Sequence, residues 1–543
     1  MKTLYQNGTI ITVNDHQPVA EALITENGKI LEVGDLDTVK VFKDDNTMVV
    51  DLKGHTMLPG FIDGHSHIGS ILAFLPKLFP PPVGRIDTKD ALLAELRHLI
   101  ENGGCLENGW LVAEGYENSL FENNAHPTKA ELDSVSTDVP MLILHSSGHV
   151  GVINSKALEL SGWNKDTPNP PGGVIDRDPV TGEPTGFLEE KAIHALAFAH
   201  VLNGLSQDYL LKMFIDTQRY YASFGITTAQ DGGTLMDFLP MLKLCQEKDL
   251  LMLDIVSYIY QEFNPDLIPS QSAKVRYDRH FKIAGAKLVN DGSPQGKTAW
   301  LTQPYYVKPD NKEEGYRGYP IFTDEQVFQY CKQAIAQECQ VLVHCNGDAA
   351  ADQFMAAYKK AKETLKSTSD LRPVIIHAQT LREDQLDTMK ELGMMPSYFN
   401  DHVYYWGDYY LDSILGPERS HTISPMQPTV QRGMRFTLHN DFPVTPPDIL
   451  FDIHNAVNRK TRNGKILGYE NAVDVMEAIK AVTIYGAYQH FDESIKGSLE
   501  VGKLADFVIL DKNPLDVPKE NLKDIKVLQT IKEDKIIYSA DPQ

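Results

Sequence analysis

LPGFIDGHSHI at 58–68 decides the fold. It is a short apolar run that stops on two histidines, His65 and His67, where a strand gives way to a loop. Side chains two apart on a strand point the same way, so both imidazoles reach one point. Four further runs repeat the design. FKIAGAKLVN (281–290) carries Lys287 near its end and enters an NDGS turn; QVLVHCN (340–346) offers His344; PVIIHA (373–378) offers His377; MRFTLHND (434–441) ends on Asp441. Short parallel strands whose carboxyl ends each present one polar group describe a barrel with a metal site at its mouth.

Working outward, FGITTAQDGG follows the helix-patterned DYLLKMFIDTQRYYAS, and LDIVSYIY follows LPMLKLCQEKD. With MMPSYFN these runs make eight strands, at about 61–68, 226–231, 253–259, 281–289, 340–345, 373–377, 394–399 and 435–440. Strand–helix alternation on that scale predicts an α/β chain built on a (β/α)8 TIM-type barrel over 58–489. The gap after the first strand is far too long for one loop. Residues 70–215 are therefore expected to form an inserted subdomain over the active-site face. At the two ends, 1–57 and 490–543, apolar–polar alternation around Asn-Gly and Gly-Asp turns predicts antiparallel strands. The two segments are expected to pack as one composite β-sandwich, since a lone hairpin is marginal.

A chain of 543 residues, 42% hydrophobic and 23% charged, has an ordinary globular composition. Its formal charge of −23 argues against nucleic acid or an anionic membrane as partner. No apolar stretch reaches the roughly 20 residues that span a bilayer, and the first residues lack a signal-peptide core. The five cysteines form no C-x-x-C pair and read as reduced thiols of a cytoplasmic protein.

Four imidazoles and a carboxylate suit borderline divalent ions, zinc first, with manganese, iron, cobalt or nickel as alternatives. Asp441 has a plainer reading as a turn former, and His439 and Asn440 beside it read as supporting or structural residues. Lys287 makes the sharper case. An ammonium at a buried strand end must find an anion or lose its proton. A neutral amine takes up carbon dioxide to give a carbamate, an anionic ligand able to bridge two cations. The alternative is a plain ion pair to Asp291 or Asp441.

In these motifs, and in their order along nearly the whole chain, the sequence resembles the metal-dependent amidohydrolase superfamily. Within it, the likeness is to the amidohydrolase 3 family, which includes N-substituted formamide deformylase-like enzymes. GSLEVGKLADFVIL (497–510), SSGHVGVINSKAL (146–158) and FNDHVYYWGDYYLDSILGPERS (399–420) add to the likeness. The resemblance implies His65 and His67 on a first metal and His344 and His377 on a second. It implies Lys287 as a carboxylated bridging ligand and Asp441 as ligand and proton shuttle. The implied reaction is hydrolysis of a C–N bond, in an amide or N-substituted formamide, by a metal-bound hydroxide. Carbamates, lactones or aryl esters are the alternative substrates, and a non-catalytic binding protein is the reading outside enzymes. Ring deamination fits less well, because such aminohydrolases usually dispense with the carboxylated lysine. His149 and Asn154 are expected to meet the polar atoms of a small amide-type substrate. Tyr116, His402, Tyr404, Tyr405 and Trp406 are expected to wall it, with loop packing as the plainer role of the aromatic run. A homodimer is compatible with the resemblance.

Overall fold

A computed structural model describes residues 2–80, 84–146, 148, 150–170, 173–234, 238–309 and 312–540. The opening run divides at Gly60, where an added Cβ would lie 2.4 Å from the Thr227 side chain. Before it, Thr56–Pro59 is a strand of a terminal sheet; after it, Phe61–Ser66 is the first barrel strand. The sandwich thus extends two residues beyond the boundary expected at 57.

The barrel strands are β1 (Phe61–Ser66), β2 (Ile226–Thr234), β3 (Asp254–Tyr260), β4 (Phe281–Val289), β5 (Gln340–Cys345), β6 (Val374–His377), β7 (Met395–Tyr398) and β8 (Thr437–Leu438). All seven consecutive pairs are parallel. Their apolar runs are buried on both faces, as parallel strands require. Between β8 and β1 the seam is bridged by a side chain. Gln489 Nε2 donates to Gly64 O at 2.7 Å, and its Oε1 accepts from Thr437 Oγ1 at 2.7 Å. Gly64 has room for no more than hydrogen, because a Cβ there would sit 2.9 Å from Leu438 O. Helices α1 (Leu239–Glu247), α2 (Asp324–Ala336), α3 (Asp348–Leu365), α4 (Glu383–Leu392), α5 (His402–Tyr409) and α6 (Ile449–Asn458) follow strands β2, β4, β5, β6, β7 and β8. The β3–β4 connection departs from the expected alternation: among the described residues it holds only two short 3-10 turns.

Six strands, three before residue 60 and three after 506, form one mixed sheet, with Phe507 opposite Pro59 and Val508 opposite Leu58. A four-stranded sheet from the first 51 residues faces it across Tyr5 and Phe507, whose rings are 5.5 Å apart. Thr3, Tyr5 and Thr25 all donate to Asp534, tying the two ends of the chain together.

Residues 70–216, with 442–446, form a second compact unit. Its five-stranded sheet shows the period of two plainly. Leu142 and Leu144 enter one apolar cluster, while Met141 and Ile143 enter another. All five cysteines are free. Among the described residues no helix is long and apolar enough to cross a membrane.

Candidate metal centre

The five strand ends bring six side chains of the barrel together. His65 is fully buried near the end of β1, and His67 lies just beyond it. Their Nε2 atoms lie 3.5 and 3.4 Å from Asp441 Oδ1. One ligand atom from each of these three residues fits within 4.8 Å of the others. Asp441 Oδ1 is itself buried and accepts no hydrogen bond. An orphaned carboxylate oxygen facing two ring nitrogens is what a cation between them would satisfy. Burial opposes the charge of Asp441, yet His67 and the neighbouring cationic groups hold its carboxyl below the ordinary range.

His344 and His377, on β5 and β6, stack edge to face with ring centroids 4.4 Å apart. His65 joins the two groups, its ring 5.7 Å from that of His377. Burial, then neighbouring positive groups, keeps both His65 and His377 far below the usual imidazole range. Neutral imidazoles have the lone pairs that metal ligands need.

In three of the four histidine candidates the remaining ring nitrogen meets a partner. His65 Nδ1 lies 2.6 Å from Gln230 Oε1, His344 Nδ1 3.2 Å from Asp291 Oδ1, and His377 Nδ1 3.1 Å from His439 Nε2. A proton on Nδ1 leaves Nε2 as the free ligand atom. The Nε2 contacts agree with that: His65 Nε2 is 3.0 Å from Lys287 Nζ, and His344 Nε2 is 3.2 Å from Asn346 Nδ2, both donors.

Lys287 is 2% exposed. The ion pair offered as its plainer role is not formed; among the described residues no carboxylate lies within 4.0 Å of its amine. Asp291 is committed elsewhere, accepting from the backbone N–H groups of Trp300, Asn346 and Gly347 as well as from His344. Burial lowers the Lys287 amine to about 7, with Asp441 pulling the other way. Two of the six positions sit on strained backbone. His377 and Asp441 have φ of 71° and 55°, a region that costs an ordinary residue about 1–3 kcal/mol.

The expected substrate residues divide. His402, on α5, is buried, its ring 4.6 Å from Phe399 and 4.9 Å from Trp406. Phe399 in turn lies 6.0 Å from His377, so His402 and Trp406 stand close behind the cluster. Tyr404 and Tyr405 instead pack on Phe451 of α6, at 5.0 and 6.0 Å, which is the plainer role foreseen for that run. Asn154 is corrected. Its Oδ1 caps the helix Ser155–Ser161 through Ala157 N and also accepts from Met141 N, while Nδ2 donates to Ser136 O and Val139 O. With both ends of its amide spent and no exposed surface, it has nothing left for a substrate. Tyr116 is buried in the 70–216 unit with its hydroxyl 2.9 Å from His126 Nδ1. His149 lies outside the described residues.

Sequence reasoning missed the partners Gln230 and Asp291, and also Gly232, whose added Cβ would lie 2.0 Å from His65 Cε1. The only signal was their position at strand ends, in AQDGG and LVNDG.

Eight parallel strands with these side chains gathered at their carboxyl ends have the fold of a metal-dependent hydrolase. The chain belongs to the amidohydrolase family, whose model matches residues 48–538. N-substituted formamide deformylase of Arthrobacter pascens is 26% identical over 96% of this chain and 96% of its own length. Protein LONG AFTER FAR-RED 3 of Arabidopsis thaliana is 28% identical over 94% and 88%. The crystal structure of a metal-dependent hydrolase from Pyrococcus horikoshii OT3 superposes with a TM-score of 0.75 at 24% identity, covering 96% of this chain and 99% of that one.

Proposed function

We propose that this protein hydrolyses the C–N bond of an amide or N-substituted formamide, using two divalent cations, zinc first. The observation that supports this best is the grouping of His65, His67, His344 and His377, three of them with Nδ1 met by a partner, around Asp441 and a buried lysine with no carboxylate within 4.0 Å. His65, His67 and Asp441 would hold one ion, and His344 and His377 the other. Lys287 would join them as a carbamate: its neutral amine forms an N–C bond to carbon dioxide and releases one proton. Divalent ions in such a site polarise a carbonyl oxygen and make water more acidic.

The chain supplies the proton transfers and the orientation. Asp441, ionised and lodged between the two ring nitrogens, takes a proton from the attacking water and returns it to the leaving nitrogen. The C–N bond breaks as that nitrogen is protonated, giving a carboxylate and an amine. His402 and Trp406 form an aromatic side that favours N-aryl or N-alkyl amides over small charged ones. The full-length likeness to a formamide deformylase points to the same bond.

Elemental analysis of wild type and Lys287→Ala, grown with zinc and bicarbonate, tests the reading alongside turnover on a panel of formamides, amides and esters. Close to two ions in wild type, a sharp fall in the variant and preference for the amides are expected. Metal content unchanged by the substitution would refute the bridging lysine, and turnover confined to esters would refute the bond assignment.

A further inference from the structure

His439 is left over once the strand ends have supplied their ligands. It is fully buried just beyond β8, and it touches two other strands. Its Nε2 lies 3.1 Å from His377 Nδ1 on β6, and its Nδ1 lies 2.8 Å from Ser397 Oγ on β7. Ser397 is also fully buried, and Phe399 stacks on the His439 ring at 5.4 Å, so the imidazole is held in place. The Ser397–His439–His377 chain runs between side chains that are not neighbours in sequence, and none of the three groups carries a formal charge when the histidines are neutral.

We infer that Ser397 and His439 are positioning residues that select, through a chain of two hydrogen bonds, which ring nitrogen of His377 is free to bind a cation. This inference rests on the metal-centre reading above and deepens it. Two neutral imidazoles 3.1 Å apart share one N–H between them. In one arrangement His377 Nδ1–H donates to His439 Nε2, His439 Nδ1–H donates to Ser397 Oγ, and His377 Nε2 is a free ligand. In the other, Ser397 donates to His439 Nδ1, His439 Nε2–H donates to His377 Nδ1, and the proton on His377 Nε2 blocks any cation. A hydroxyl and a neutral imidazole each donate or accept, so this chain can run in either direction without changing charge.

Two of the other ligand histidines, His344 and His65, have no such freedom. Asp291 is an acceptor with both oxygens occupied, and Gln230 presents its carbonyl oxygen to His65. Each fixes one tautomer. Of these three, His377 is therefore the one whose readiness to bind depends on a reversible partner. Cation binding at its Nε2 and the direction of the relay must be coupled, and weakening the relay must weaken the ion held with His344 more than the ion held by Asp441.

Zinc affinity measured by competition with a chromogenic chelator, on full-length wild type, His439→Leu, His439→Gln and Ser397→Ala, tests this. Ring 15N shifts of the histidines during the zinc titration provide a second readout that is independent of activity. One class of site should weaken about 10- to 100-fold in His439→Leu, the usual loss when a ligand's outer partner is removed. The other class should be unchanged. His439→Gln, which still offers an acceptor, should recover most of the affinity, and Ser397→Ala should fall between. Zinc should place the His377 proton on Nδ1. A folded His439→Leu protein that binds zinc like wild type, or a zinc-loaded His377 protonated on Nε2, would overturn the inference. Should His439→Leu not fold, Ser397→Ala removes only a hydroxyl, and wild-type zinc affinity there decides against the relay. If wild type takes up no zinc at all, the metal-centre reading fails and the relay falls with it.

Discussion

Gly232→Ala should empty the centre without unfolding the protein. The added Cβ would lie 2.0 Å from His65 Cε1 and 2.1 Å from Nδ1, where carbon atoms in contact normally keep about 3.5–4.0 Å. The overlap is therefore about 1.5 Å. The ring has little room to retreat, because His65 is fully buried and its Nδ1 is held 2.6 Å from Gln230. Ligand distances tolerate only about 0.2 Å, and a reacting group misplaced by about 1 Å loses roughly 100-fold in rate. Expected, then, are loss of the ion at His65 and a fall of roughly 100-fold or more in kcat/KM. Overpacking of this kind costs about 1–3 kcal/mol, too little to unfold a typical domain. Gly233→Ala is the matched control: its Cβ would meet the Tyr260 hydroxyl at 2.6 Å, and its three nearest atoms all belong to that side chain. Metal content, kcat/KM and urea unfolding of the two variants form the assay. Wild-type metal content and activity in a folded Gly232→Ala protein would refute the geometry of β1 and β2 on which the centre is built.

Other outcomes follow from the fold. Asp254, at the start of β3, is buried with Lys496 and Lys532, the latter at 3.0 Å; both hold its carboxyl well below the ordinary range against the effect of burial. Asp254→Ala leaves the buried Lys496 ammonium without a carboxylate, while Lys532 keeps Asp506 at 3.0 Å, and should cost about 3–5 kcal/mol in urea unfolding; an unchanged midpoint would show that Lys496 finds another partner. His280 Nδ1 sits 2.8 Å from Asp254, and that hydrogen bond raises the imidazole above its usual value. Its contribution to stability is complete below the unfolded value of about 6.5 and is lost as pH rises through the higher folded value. Tm should thus fall more between pH 6 and pH 9 in wild type than in His280→Gln, and parallel curves would contradict the pairing. Asn154→Ala should lower stability by about 1 kcal/mol through loss of the helix cap and leave KM unchanged; a large rise in KM would return Asn154 to the substrate site.

Much of this was legible in the residues because it is local. A run of β-branched and apolar residues that stops on a polar one marks a strand end whatever it packs against. All eight strands lie where their runs predict, and only the last is much shorter, pairing at Thr437–Leu438 within the expected 435–440. The identities of His65, His67, Lys287, His344, His377 and Asp441 came from the same local pattern. Other features are not local. Gln230 is 165 residues from the histidine it orients, Asp291 53 from His344, and His439 62 from His377. No spacing rule connects such pairs, because their contact is created by the barrel's closure.

The sequence by itself determined the barrel, the terminal sandwich strands and the six strand-end residues, since each depends on short-range alternation and chain direction. Only the tertiary structure decided which partners meet the Nδ1 atoms of His65, His344 and His377, that Lys287 has no carboxylate partner, that Asn154 is a cap, and that His439 leans on Ser397. Those outcomes depend on burial and on hydrogen-bond partners brought from distant strands, and neither exists until the chain has folded.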